Sequence, residues 1–418
     1  MEVRAGYKQT EVGVIPEEWH VSSLQDACQE AITYGIVQCG PHIRGGVPYV
    51  RVSDMDKPEL DVDGMLRTTP AIAARFSRST VQSGDLVYAL RGKLGEVRQV
   101  GRSVAGANLT QGTARLSPRE GVISNYFKWA MRSSRVVRQA EIEAKGTTFR
   151  EITLADLRRI CLPIPHIPEQ RAIAAALSDV DALLGGLERL IAKKRGIKQA
   201  AMQQLLTGQT RFPGFNGEWE VKRLGDVGEI SSAGVDKKLR PDESPVRLVN
   251  YLDVYRKDFI YSKDLNHWVT ASPHQASRCA VQKGDVFFTP TSETRDDIGL
   301  SAVAMEDIPD AAYSYHVARL RLREPWDLRF RTYAFKTRAF LDQAETLCDG
   351  NGTRYVISQG KFRNMTVQVP PLPEQTAIAA VLSDMDAELS VLVARRDKTR
   401  DLKQAMMQEL LTGRTRLV

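Results

Sequence analysis

The chain has 418 residues, 42% of them apolar and 26% charged. That leaves room for two or three domains with ordinary cores and excludes wholesale disorder. Lysine and arginine outnumber aspartate and glutamate by 58 to 51, a net charge of +7, which leans toward a polyanionic partner. No fully apolar run exceeds the six residues of 172–177, far short of the ~20 residues of a membrane span, so no membrane contact is expected. The opening MEVRAGYKQTEV carries no apolar signal core. Five scattered cysteines, with no Cys-x-x-Cys among them, fit a reducing, cytoplasmic setting and argue against a disulfide framework or a thiolate zinc site.

In chain order, residues 20–165 hold short β-type runs bounded by Gly, Pro and Asp, among them VPYVRV and DLVYAL. A helix-like stretch, SNYFKWAMRSSRVVRQAEIEA, follows, and the segment reads as a mixed α/β module. Its acidic loop of Asp54, Asp56, Asp61 and Asp63 is better explained by turns and caps than by magnesium. Two polar loops could meet a phosphate: Arg91-Gly92-Lys93-Leu94-Gly95, and Gly146-Thr147-Thr148-Phe149-Arg150. Glycines there allow close backbone approach. Arg44 and Arg51 are further candidates.

A long helix is expected next, from Pro168 through Leu-Leu-Thr-Gly208. Proline suits its start, Glu169 suits the positive end of its dipole, and glycine suits its stop. Ile173, Leu177, Val180, Leu184, Leu187 and Ile191 follow 4-3-4-3 spacing, a coiled-coil seam. The seam is expected to break at Lys194 and Lys198 and to shift sideways to Ile197. A second mixed module, 220–370, repeats the pattern with RLVNYL, DVFFTP, AYSYHVARLRL and the helix-like DLRFRTYAFKTRAFLDQAE. Its candidate contacts are Thr289 through Arg295, and Asn351-Gly352-Thr353-Arg354-Tyr355, the counterpart of 146–150. A second long helix follows, with its seam at Ile378, Leu382, Met385, Leu389 and Leu392, breaking at Arg396 and Lys403 and shifting to Leu402.

The two long segments are copies. Residues 168–212 and 373–417 align without a gap, and 27 of 45 positions are identical. Weaker echoes precede each: Glu18-Trp19 and Glu218-Trp219, and Val81-Gln82-Ser83-Gly84-Asp85 and Val281-Gln282-Lys283-Gly284-Asp285. The chain is a pseudo-two-fold tandem duplication. Each helix is acidic in its first half and largely basic in its second, so antiparallel packing sets acid beside base.

Catalytic motifs are missing from the sequence. It has no GxxxxGK[ST] phosphate loop, no dinucleotide fingerprint and no Asn-Pro-Pro-aromatic sequence of the kind used against a flipped base. The spacing of His267, His274 and Cys279 fits no zinc pattern. These features leave a DNA-binding protein or a non-catalytic coiled-coil scaffold that binds only proteins.

The paired PEQRAIAAALSDVDALLGGLERLIAKKRGIKQAAMQQLLTGQTR repeat, the GYKQTEVGVIPEEWHV opening and the Gly-Asp strands resemble the specificity subunit of type I restriction-modification enzymes, over the whole chain. The resemblance implies an α+β fold: two mixed α/β target-recognition domains separated by two long antiparallel coiled-coil helices. The divisions would be 1–167 and 209–372 for the recognition domains, and 168–208 and 373–413 for the helices. It implies that each domain reads one half of an asymmetric bipartite site on double-stranded DNA. The helix pair would set the spacer and dock two modification subunits. Those subunits carry the methyltransferase chemistry, and restriction subunits with nuclease and translocase then join. The chain itself would be no enzyme and need no cofactor or metal.

Overall fold

The structure is a computed structural model and describes residues 4–146, 150–232 and 234–418. It forms two compact units: Met1–Glu188 with Ala394–Val418, and Arg189–Val393. None of its helices is long and apolar enough to cross a membrane, among the described residues.

In the first unit a four-stranded sheet runs in the order Thr33–Tyr34, Thr113–Leu116, Leu86–Ala89, Val97–Gln99. A three-stranded sheet has the order Arg67–Thr68, Val47–Val50, Asn108–Leu109. The second unit enlarges the same plan. Its five-stranded sheet holds Val286–Phe288 beside Ala318–Leu322, as Leu86–Ala89 lies beside Thr113–Leu116. The repeated Gly-Asp closes the turn into this strand in both units. Gly84 and Gly284 have φ of 93° and 86°, which favours glycine. Asp85 and Asp285 accept from the Gln82 and Gln282 amides at 2.8 and 2.9 Å, and each is ion-paired, to Arg115 and Arg321.

The helix-like stretches are helical, each divided into two helices. Ser124–Met131 is followed by Ser134–Glu143, because Ser133 caps the second helix by accepting from the Val136 amide. Thr337 does the same for Arg338–Leu347 after Phe330–Ala334. Such side-chain caps compete with continued helix.

The long helices span Ile167–Leu205 and Leu372–Leu410. At the start of each, the Pro-Glu-Gln repeat locks helix to module. In the first unit, antiparallel strands His20–Ser23 and Cys161–Ile164 bring Trp19 to the helix start. Its indole donates to Glu169 at 2.8 Å, and Arg416 donates to the same carboxylate at 2.9 Å. Gln170 donates to the carbonyls of Pro165 and Gly121 and accepts from the Ile123 amide. In the second unit, strands Glu220–Arg223 and Thr366–Val369 present Trp219 to Glu374 at 3.0 Å, and Arg211 grips that carboxylate at 2.7 and 2.8 Å. Gln375 donates to the Pro370 carbonyl and accepts from the Asp327 amide. Both glutamates are 1% exposed, so the bonds are what make their burial tolerable.

Within each unit the helices run antiparallel, acid against base. In the first, Asp181 pairs with Lys403 and Glu188 with Arg400. In the second, Lys194 pairs with Glu388 and Lys198 with Asp386. Ile173, Leu177, Leu184, Leu187, Ile191, Ile378 and Leu382 are buried, and Val180, Met385, Leu389 and Leu392 half-buried. The expected break and sideways shift do not occur. Ile197 and Leu402 are 44% and 54% exposed. The 4-3 spacing continues straight through Lys194, Lys198 and Leu205, and through Arg396, buried Thr399, Lys403 and Leu410. A lysine occupies a seam position by burying its stem and turning its ammonium to a carboxylate at the edge.

An aromatic ring fastens the seam to each module. The Trp129 indole donates to Ser178 at 3.1 Å, and the Lys403 ammonium lies 4.8 Å from its ring. The Tyr333 hydroxyl donates to Asp386 at 2.7 Å, with the Lys198 ammonium 5.6 Å from its ring.

Glu169→Ala should destabilise the first unit by about 2–4 kcal/mol, since it strands an indole and a guanidinium. Deleting residues 414–418 should act on the same unit. Urea unfolding followed at both units is expected to show the second unit's transition unmoved.

Candidate nucleic-acid interface

The candidate loops converge on one structural frame in each unit. In the first, the chain after Leu86–Ala89 reaches Arg91, which bridges Glu151, and Glu151 in turn bridges Lys145 through paired bonds of 2.9 Å. The Ile152 amide donates to the Leu90 carbonyl, and the Gly92 amide to the Arg150 carbonyl. In the second, Thr291–Ser292 pairs with Arg354–Val356, which pairs with Asp349–Asn351. The Ile357 amide donates to the Pro290 carbonyl. The frames correspond bond for bond: Ile152 to Ile357, Glu151 to Val356, Lys145 to Asp349. In the second frame, Gly350 pairs with Tyr355 and Asn351 with Arg354, so Gly352-Thr353 closes the hairpin. Gly350 and Gly352 have positive φ, and a Cβ at Gly350 would lie 2.1 Å from the Arg354 carbonyl, so the tight hairpin requires glycine there.

The first frame gathers Arg91, Lys93, Arg150 and the neighbourhood of Arg51. Arg91 is exposed, and its Nε would meet a Cβ at Gly112 at 2.9 Å, with Val52 close by. Lys93 pairs with Asp56. Arg150 is exposed and donates to the Glu141 carbonyl at 2.7 Å. Arg51 holds the Asp54 carboxylate at 2.7 Å, while Asp54 also accepts from the Arg51 amide. This acid is a cap, as the turn reading expects, and Asp61 likewise accepts from the Asp63 amide. Arg44 lies exposed in the turn before Val47–Val50. Thr147 and Thr148 lie outside the described residues.

In the second frame, Asn351, Thr353 and Arg354 are exposed at the hairpin tip and Tyr355 is half-buried. The Arg295 guanidinium lies 5.1 Å from the Tyr355 ring. Thr289 must be corrected as a surface candidate. It is fully buried, accepting from the Leu300 amide at 3.0 Å, because it closes the strand end beneath the loop rather than lining it.

Four residues at this edge are not among the sequence-based candidates: Lys237, Tyr251, Tyr255 and His316. With Thr291, Thr294, Thr353 and Arg354 they line one open cavity of about 550 Å³. Tyr251 and Tyr255 stack at 5.8 Å and 17°, one helical turn apart on Tyr251–Arg256. That i, i+4 aromatic spacing was the available signal. The Tyr255 hydroxyl donates to Asp297, which raises its pKa. Burial first, then the positive charges of Lys237 and Arg354, hold the His316 imidazole below its ordinary range, so it is neutral at pH 7. Neutral imidazole, hydroxyls, guanidinium and ring faces are the groups that read base edges and stack on bases.

A model of the type I restriction modification DNA specificity domain matches residues 16–194 and again 216–396, and the chain belongs to that family. It is 22% identical to the putative type I restriction enzyme MjaX specificity subunit of Methanocaldococcus jannaschii, over 98% of this chain and 97% of that one. It is 24% identical to the type I restriction enzyme EcoBI specificity subunit of Escherichia coli, where the match spans 55% of this chain and about half, 49%, of the relative. In fold it resembles the type I restriction-modification S subunit of M. genitalium, with a TM-score of 0.56, 15% identity and 98% of each chain covered. A chain solved in work on complex assembly and conformational transition of the type I R-M system gives a TM-score of 0.58 at 17% identity, covering 96% of this chain and 99% of that one.

Thr289→Val should lower stability by about 1–3 kcal/mol, because the Leu300 amide is left without its acceptor. Thermal unfolding measures this, and a surface residue would leave the transition unchanged.

Proposed function

We propose that this chain is the DNA-sequence-specificity subunit of a type I restriction-modification complex. The observation that carries the reading is one hydrogen-bonded frame, built twice, bearing different side chains. The first frame offers Arg91, Lys93 and Arg150, where the second offers Thr291, Glu293, Arg354 and Tyr355. A shared frame with unlike side chains suits two readers of two unlike short sequences. Residues 1–167 and 209–372 serve as the recognition domains. The helices 168–208 and 373–413 fix the spacer and carry two modification subunits, to which restriction subunits add. The methyl transfer and cleavage belong to those partners, and the assembly works in the cytoplasm.

Arg91, Lys93 and Arg44 act on phosphates. Arg51 is partly committed to Asp54 and contributes less. Arg150 in one half, and Arg354 with Thr353, Asn351, Arg295 and Tyr355 in the other, reach base edges or stack. Thr147 and Thr148, outside the described residues, are proposed as contacts in the same half as Arg150.

With modification subunits and S-adenosylmethionine, the chain should direct methylation to one bipartite sequence. Methylation of the same sites without the chain would contradict the proposal. Arg150→Ala and Arg354→Ala should each relax base choice in a different half-site, by ~1–3 kcal/mol for each bidentate pairing removed. Replacing Arg91 and Lys93 by Ala should flatten the log–log salt slope of binding by ~0.9 for each phosphate no longer neutralised. Site preference is read by competition among duplexes altered in one half, and the slope by titration at several salt concentrations.

A further inference from the structure

A cavity of about 600 Å³ in the first unit lies between the start of the helix Ser134–Glu143 and the last turns of the second long helix. That size is in the ordinary range for small-molecule sites, ~300–1,000 Å³. Five cations line it, Arg132, Arg135, Arg400, Lys403 and Arg414, and no acid lines it among the described residues. Arg400, Lys403 and Arg414 each have a carboxylate neighbour outside the lining, in Glu188, Asp181 and Glu409. Arg132 and Arg135 have no such ion pair among the described residues. Arg132 spends one N–H on the Val97 carbonyl at 3.0 Å. Arg135 has a buried Nη1 with no hydrogen-bond acceptor among the described residues. Burial lowers the pKa of both, and the neighbouring charge of Arg414 adds to this for Arg135. The cavity therefore concentrates five positive charges, of which Arg132 and Arg135 are without an ion pair among the described residues, with guanidinium forks suited to oxyanions.

The second unit supplies an internal comparison. The repeat places Ala339 where the first has Arg135, and Gln209 where the first has Arg414. Lys336, in the place of Arg132, is neutralised by Asp258. At the other matching positions the second unit keeps Arg195 and Lys198 for Arg400 and Lys403, and Lys198 there is paired with Asp386. A partner that docks alike on both repeats would not need the two additional arginines, Arg135 and Arg414, on one alone. The occupant binds once per chain and is compact and strongly anionic.

We propose that this cavity binds a small phosphate-bearing anion carrying two or more negative charges, of the pyrophosphate or nucleoside-polyphosphate class. This role goes beyond DNA-sequence recognition and does not depend on it. The test is calorimetric titration of the full chain with pyrophosphate and, separately, with ATP, alongside a short duplex. The wild-type chain should bind one anion per chain, in competition between the two probes. Arg135→Ala and Arg414→Gln convert the lining toward that of the second unit. Each should weaken binding at least tenfold, while DNA retention and the unfolding transition stay unchanged. The two variants fail independently, since Arg414 lies near the chain end. Absence of saturable binding, equal binding by both variants, or displacement of the anion by duplex DNA would overturn the proposal. The last result would assign the cavity to the DNA path. Loss of DNA retention in wild-type chain that still binds pyrophosphate would count against the specificity reading alone.

Discussion

A buried carboxylate at the start of each long helix is the constraint on which the structure depends. Glu169 and Glu374 could not remain ionised in those sites without their donors. Each takes an indole N–H from the tryptophan just before the strand His20–Ser23 or Glu220–Arg223, and a guanidinium from the residues after a long helix. The first clasp thus joins three stretches of chain far apart in sequence, and the second joins the 211–219 segment to the start of the second long helix. Arg416 closes the first unit from the chain's last residues, and Arg211 closes the second from the segment after the first helix. Identical Thr-Arg pairs follow Leu-Leu-Thr-Gly in both copies because both arginines have the same task. The adjacent glutamine bonds to the module's backbone, so orientation as well as attachment is specified.

The seam extends this logic. Its lysines are less stabilising than leucines would be, since half-exposed ion pairs contribute only a few tenths to about 1 kcal/mol. They give direction instead. Asp181 with Lys403, and Asp386 with Lys198, are matched only when the helices in each unit run oppositely. Polar groups at single seam positions are a recognised means of fixing register at some cost in stability. The same lysines also face Trp129 and Tyr333, so the register of the helices and the docking of the module are set together.

Much of this was legible in the sequence, because the duplication lets each half interpret the other. Pro-Glu-Gln, the heptad leucines, the Gly-Asp turns and the hairpin preceding Ile152 or Ile357 all stand out by recurring. The misreadings share one physical origin: a sequence shows residue type but not the partner that changes its behaviour. Lys198 and Lys403 looked like a break because their carboxylates lie on the other helix. Thr289 looked like a surface hydroxyl because the amide it bonds, Leu300, lies across a loop. Ser133 and Thr337 divide the helix-like stretches in two by capping. Lys237, Tyr251 and His316 were invisible as a group because they meet only when three separate segments fold onto one edge. The family model matches both halves.

One frame serving two different sets of side chains is the economical solution for reading a long site with small modules. Each hairpin is supported by the core strand beneath it, so its tip can vary without loss of fold. Selection of preferred sites from a random duplex pool, using the full chain assembled with its modification subunits, tests this most directly. The account predicts two short, unrelated sequence blocks separated by a fixed number of unread base pairs. A single contiguous block, two identical blocks, or no enrichment over the starting pool would contradict it.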